Sequence, residues 1–170
     1  DASRAERDPI AIIGLAGRYA SAETLDAFWE VLQSGADCIR EVPPERWSLE
    51  GFYDAEVEAA IRAGKSYCKW GGFMSGVDEF DPLFFGIAPS DAESLDPQER
   101  WFLQACWSAL KDGGDTPESL SQLHGGEVGV FAGITKTGYE RWSAAQGEGH
   151  TNFSSIANRV SYLLNLRGPS

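Results

Sequence analysis

Apolar residues recur at helical spacing in three parts of this chain and form short unbroken runs in two others. In "TLDAFWEVLQSG", Leu25, Phe28, Trp29 and Leu32 fall at i, i+3, i+4 and i+7, which predicts a helix that lays one apolar face on a core and ends at Gly35. The stretch "SLDPQERWFLQACWSALKDGG" predicts a second helix. Asp96 supplies the cap, Pro97 the first helical position, Glu99 a capping-box partner, and Gly113 and Gly114 the stop. Its expected buried stripe is Trp101, Phe102, Ala105, Cys106, Ala109 and Leu110. "SSIANRVSYLLNL" predicts the third, with Val160, Leu163 and Leu164 at helical spacing and Arg167 in the last turn. Gly168-Pro169 is its stop, the glycine taking the left-handed cap. The runs Ile10 to Ile13, ended by Gly14, and Glu127 to Ile134 read as strands buried on both faces. Strands near both ends with long helical crossovers between them predict an α/β layered fold with a mostly parallel sheet. From Cys38 to Gly76 the chain is rich in Pro, Gly and aromatics and weak in periodicity, as expected of a stretch lying over a surface or interface.

Composition narrows the classes of function. The 170 residues, 42% hydrophobic and 12% aromatic, suffice for one globular domain burying roughly two-thirds of its unfolded surface. A net charge of -12, from 26 acidic and 14 basic residues, argues against nucleic acid as a partner. No apolar run approaches the roughly 20 residues needed to span a bilayer, and "DASRAERDPI" lacks the apolar centre of a signal peptide, so the expected location is cytoplasmic with no membrane contact. The absence of an initiator Met and the terminal Gly-Pro turn, which normally feeds another element, suggest an excerpt of a longer chain.

Candidate chemistry within the chain is sparse. Cys38, Cys68 and Cys106 are odd in number and widely spaced, which fits neither a disulfide framework nor a zinc site; His124 and His150 stand apart from any ligand cluster. Cys106 lies mid-helix between Ala105 and Trp107, a setting that raises a thiol pKa, whereas Cys68 has only Lys69 beside it as an activator. All three read as structural. Gly14 and Gly17 form only G-x-x-G, short of a dinucleotide fingerprint, and a tight strand-to-loop turn is the favoured reading over a nucleotide cradle.

Taken in order, "DPIAIIGLAGRY", "FWEVLQSG", "EVPPERW", "GGFMSGVDEFDPLFFGIAPSDAESLDPQERWFLQACWSAL" and "NRVSYLLNLRGPS" resemble the N-terminal half of a β-ketoacyl synthase domain of bacterial modular polyketide synthases. "FDPLFFGIAPSDAESLDPQER" is similar to the family's F-D-P-x-F-F-G-I-S-P-x-E-A-x-x-M-D-P-Q-x-R signature, matched from Phe80 to Ile87 except at Leu83, and at Pro89, Asp96, Pro97, Gln98 and Arg100. "SYCKWGGF" is nearest to assembly lines served by separate acyltransferases. The departures, Tyr19-Ala20 for Phe-Pro, Ala88 for Ser and Ser90 for Arg, fall at positions expected to serve packing or surface.

The resemblance implies the N-terminal half of a thiolase-like layered fold (αβαβα), with residues 1–8 as a linker or arm and 9–170 as ketosynthase truncated before the nucleophilic cysteine. It implies a decarboxylative Claisen condensation for the complete domain, and no catalytic residue in this chain, whose cysteines and histidines match no family motif. No cofactor is expected to bind directly, since substrates ride on the phosphopantetheine of acyl carrier protein. Expected partners are that carrier protein, the C-terminal half of the domain and a second copy in a homodimer. Thr151, Asn152 and Phe153 match a family loop near the dimer contact and are candidates for the substrate tunnel wall; alternatively Thr151 or Asn152 caps the last helix. A competing reading is half of a condensing domain that transfers or holds acyl chains without elongating them.

Overall fold

The structure, a computed structural model, describes residues 9–135, 139 and 153–170. The chain divides into two compact units, one spanning Gly17–Val77 and the other joining the segment through Ala16 to the chain from Asp78 onward.

In the first unit, α1 (Leu25–Ser34) begins where the Thr24 hydroxyl accepts the Ala27 N–H at 3.2 Å and ends at left-handed Gly35, the stop that the pattern predicts. Its apolar face behaves differently. Phe28 is half-buried and stacks on Tyr19 at 3.8 Å between centroids, but Trp29 and Leu32 are exposed. The buried apolar residues of this unit, Ala22, Val42 and Ala60, are too few and small to cover them. The stretch from Cys38 to Gly76 is not wholly irregular: β1 (Ile39–Glu41) and β2 (Trp70–Gly72) pair antiparallel, with Arg40 opposite Gly71. The Lys69 ammonium reaches the Glu41 carboxylate at 2.7 Å across this ladder, and that contact raises the lysine pKa. Between the strands lie α2 (Leu49–Phe52) and α3 (Val57–Ala63).

The second unit contains α4 (Pro89–Ser94), α5 (Pro97–Asp112), α6 (Pro117–His124) and α7 (Phe153–Leu163). Helices α5 and α7 pack on each other around Leu103, Ala157, Val160 and Leu164, joined by Ile87, Ala92, Leu95 and Val130. Asp96 caps α5 through its carboxylate, which accepts the Gln98 N–H at 2.8 Å. Glu99 does not complete a capping box. It is only 2% exposed and turns toward α7, and the most buried apolar residue of α5 is Leu103, not the predicted stripe, which is half-buried.

Helix α7 stops earlier than its pattern suggests. Asn165 takes the left-handed conformation (φ 53°), the Leu166 N–H donates to the Ser161 carbonyl at 2.8 Å and the Asn165 N–H to the Tyr162 carbonyl at 3.2 Å, which is a Schellman cap. Gly168 is therefore not the cap. The chain beyond it turns alongside 126–130: Arg167 N–H donates to the Gly126 carbonyl at 2.7 Å, Gly168 N–H to Val128 at 3.2 Å, and Val130 N–H to Pro169 at 2.8 Å. Both segments advance in the same direction, a parallel contact. A Cβ on Gly168 would lie 2.4 Å from the Val128 carbonyl carbon, so glycine is required there for close backbone approach.

The two predicted buried strands are corrected by the structure. Ile10, Ile12 and Ile13 are exposed, Ile10 at 96%, and neither 10–13 nor 127–134 forms a regular strand among the described residues. In the second run only Val130 is fully buried, while Phe131 is 82% exposed. An apolar run is buried on both faces only where sheet neighbours flank it, and no strand pairs with 10–13 among the described residues.

Candidate functional site

The segment from Phe80 to Arg100 is built by local chemistry into a rigid approach to α5. The Asp81 carboxylate accepts the Phe84 N–H at 3.0 Å, and the Ile87 N–H donates to the Pro82 carbonyl at 2.8 Å. Gly86, at φ 66°, makes that return possible. The turn gathers aromatic rings: Phe80 stacks on Phe85 at 5.3 Å, and Phe84 meets Phe85 and Trp107 edge-on at 4.9 and 5.0 Å. Pro89 then starts α4, and Pro97 follows the Asp96 cap to start α5. Much of the signature is thus a folding device: Asp81 and Gly86 make the turn, Asp96 caps α5, and Phe80, Phe84 and Phe85 make ring contacts.

Between α5, α7 and the segment around Val128 lies an apolar cavity of about 340 Å³, lined in part by Ile13, Phe102, Cys106, Val130 and Leu164. Burial there pushes the Cys106 thiol up to about 11, as its mid-helix apolar setting leads one to expect, so it is held as a thiol at neutral pH and is a poor nucleophile. Cys68 is exposed, with its Sγ 3.4 Å from the Trp70 carbonyl, and Cys38 is half-buried. His124 is exposed at the last position of α6. Among the described residues no group of three His, Cys, Asp or Glu side chains comes together as metal ligands, and no helix is long and apolar enough to cross a membrane.

The two early glycines do not form a phosphate cradle. A Cβ on Gly14 would stand 2.2 Å from the Ala109 carbonyl oxygen, and the Leu15 N–H already donates to the Asp112 carboxylate at 2.9 Å. Gly14 therefore serves close packing on α5, and the neighbouring amide is filled by a side-chain anion. The space beside Gly17 is taken by the Tyr19 ring.

Of the loop residues proposed from the sequence, Phe153 is the first residue of α7 and its ring is 58% exposed. Thr151 and Asn152 lie outside the described residues. An ion pair not expected from the pattern joins α5 and α7, where Arg159 Nε lies 3.6 Å from Glu99 Oε1. A signal was present, since Glu99 stands four residues before Leu103, on its face of the helix.

The fold belongs to the thiolase-like α/β class, as the solved ketosynthase domains that superpose on it show. The chain belongs to the β-ketoacyl synthase family: residues 7–170 match the family's N-terminal domain. It is 51% identical over 172 residues to polyketide synthase ThaG of Burkholderia thailandensis, covering 98% of this chain and 3% of that protein. With polyketide synthase PksL of Bacillus subtilis it shares 45% identity over 175 residues, covering 97% of this chain and 4% of the relative. Among solved structures, the oxazolomycin ketosynthase domain OzmH KS7 of Streptomyces albus JA3453 superposes with a TM-score of 0.83 at 43% identity, over 96% of this chain and 28% of that one. The ketosynthase from module 6 of the Bacillus subtilis bacillaene synthase superposes with a TM-score of 0.77 at 36% identity, over 94% of this chain and 26% of that one.

Proposed function

We propose that this chain is the N-terminal part of a ketosynthase domain of a modular polyketide synthase, with residues 1–8 as an arm and 9–170 as the scaffold. The complete domain takes an acyl group from the phosphopantetheine thioester of one acyl carrier protein onto a cysteine sulfur, releasing the pantetheine thiol. A malonyl-type thioester on a second carrier then loses carbon dioxide. The carbanion left behind forms a carbon–carbon bond with the acyl carbonyl carbon, and the cysteine thiolate departs. Such a cysteine must be ionised to attack, and an oxyanion hole must receive the developing charge. Cys106, held as a thiol near 11, does not meet the first requirement.

The observation that carries this reading is the match of 7–170 to the β-ketoacyl synthase N-terminal domain. In this reading the chain supplies walls and supports: Thr151, Asn152 and Phe153 face the acyl tunnel or the contact with a second copy, and the downstream half of the domain supplies the nucleophile. The working enzyme is a cytoplasmic homodimer served by acyl carrier proteins, in the type of assembly line that uses separate acyltransferases.

The test is to incubate the intact ketosynthase domain with an acyl thioester and map adducts by peptide mass spectrometry, then add malonyl-loaded carrier protein. We expect an acyl adduct outside Cys38, Cys68 and Cys106, followed by a β-ketoacyl product. An adduct on any of these three overturns the assignment of the nucleophile. Acyl transfer with no loss of carbon dioxide supports the non-elongating alternative in its place.

A further inference from the structure

The Glu99 side chain is almost wholly buried, its Arg159 partner is about one-third exposed, and the contact atoms Glu99 Oε1 and Arg159 Nε have no hydrogen bond at all. The fully buried apolar residues of the two helices are Leu103 on α5 and Ile156, Ala157 and Val160 on α7, while Asp96 lies buried three residues before Glu99. A buried ion pair of this loose geometry is a poor source of stability, because desolvation of both charges offsets their attraction and an apolar pair of like volume serves as well or better. What such a pair does supply is a unique alignment, since a purely apolar stripe leaves a helix free to pack one turn out of step.

The C-terminal end of α7 leads to a segment where alignment matters. Beyond its C-terminus, Gly168 fits against Val128 only as glycine, and the Ser170 hydroxyl donates to the Asn158 side-chain carbonyl at 2.7 Å. A slip of one turn keeps the apolar face of α7 on α5 but moves the helix by roughly 5.4 Å along its axis. Such a slip is incompatible with the Ser170–Asn158 bond and the Gly168 contact together.

We propose that Glu99 is a positioning residue: through Arg159 it sets the register of α7 on α5, and thereby the placement of the 167–170 segment beside 126–130. The inference rests on the ketosynthase reading only where it concerns turnover; the structural part stands without it.

The test uses the intact ketosynthase domain carrying Glu99→Gln, and separately the double variant Glu99→Leu with Arg159→Leu, which removes both charges. Two readouts are taken: hydrogen exchange at the Gly168 and Val130 amides, and the rate constant for enzyme acylation. Glu99→Gln should speed exchange at these amides roughly 10-fold, with the α5 amides unchanged. It should slow acylation about 10-fold with little change in the thioester concentration at half-maximal rate, since misplacement affects the reacting geometry more than binding. The double variant should recover thermal stability and retain both defects. If it instead exchanges and acylates like the wild type, the pair is merely structural and the proposal fails. If the wild type forms no acyl adduct, the ketosynthase reading fails, while the exchange experiment still decides the role of Glu99.

Discussion

Replacing Gly168 by alanine tests the parallel contact that ends the described chain. The added Cβ would stand 2.4 Å from the Val128 carbonyl carbon, 2.5 Å from its oxygen and 2.6 Å from the Gly129 nitrogen. All three are backbone atoms, which no side-chain rotation can move, and carbon contacts settle at about 3.5 Å or more. Separation of roughly 1 Å follows, which breaks the Gly168 and Val130 hydrogen bonds at about 1 kcal/mol each. Residual overpacking adds about 1–3 kcal/mol. The stiffer unfolded chain returns about 0.5–1 kcal/mol. The net local destabilisation is about 3 kcal/mol, or roughly 100-fold in the opening equilibrium. Hydrogen exchange at the Val130 amide of the intact domain reads this directly, and Gly133→Ala is the control, because nothing lies within 4 Å of a Cβ at Gly133. Exchange within about 3-fold of wild type in the Gly168→Ala protein would refute the close approach, and with it the parallel pairing of 167–169 with 126–130.

Three further outcomes follow from the packing and the charges. Leu103→Ala should cost about 2–5 kcal/mol in chemical denaturation of the intact domain, because Leu103 is 1% exposed at the centre of the α5–α7 contact. The Cys106 thiol, at about 11 when folded against an ordinary 9.0, stays protonated over a window in which the unfolded thiol ionises. Its stabilising contribution is thus fully present below pH 9 and declines toward pH 11, and alkylation at pH 8 should label Cys68 well before Cys106. The 170-residue chain expressed alone should associate in size-exclusion chromatography, since Ile10, Ile12, Ile13 and Phe131 leave apolar surface open; a monodisperse monomer with sharp thermal unfolding would contradict this.

Local chemistry was legible without tertiary structure wherever a few adjacent residues decide the outcome. Asp96 and Gly35 cap their helices as read, because capping needs only a side-chain oxygen or a tolerant backbone beside the helix end. The thiol character of Cys106 followed from its apolar neighbours along one helix. The signature from Phe80 to Arg100 was legible as a family pattern, and the turn at Gly86 and the Asp81 bond to the Phe84 N–H are local too.

What the sequence left open depends on residues far apart in the chain. Gly168 looked like a helix cap until Val128, forty residues earlier in the chain, was seen to press against it, and Asn165 took the cap instead. Glu99 read as half of a capping box because its i−3 neighbour was visible and Arg159, sixty residues on, was not. Ile10 to Ile13 carry the composition of a buried strand, yet composition states only what a segment can bury. Whether it is buried is settled by the neighbours that reach it, since the hydrophobic effect acts on area removed from water and that area belongs to pairs of segments.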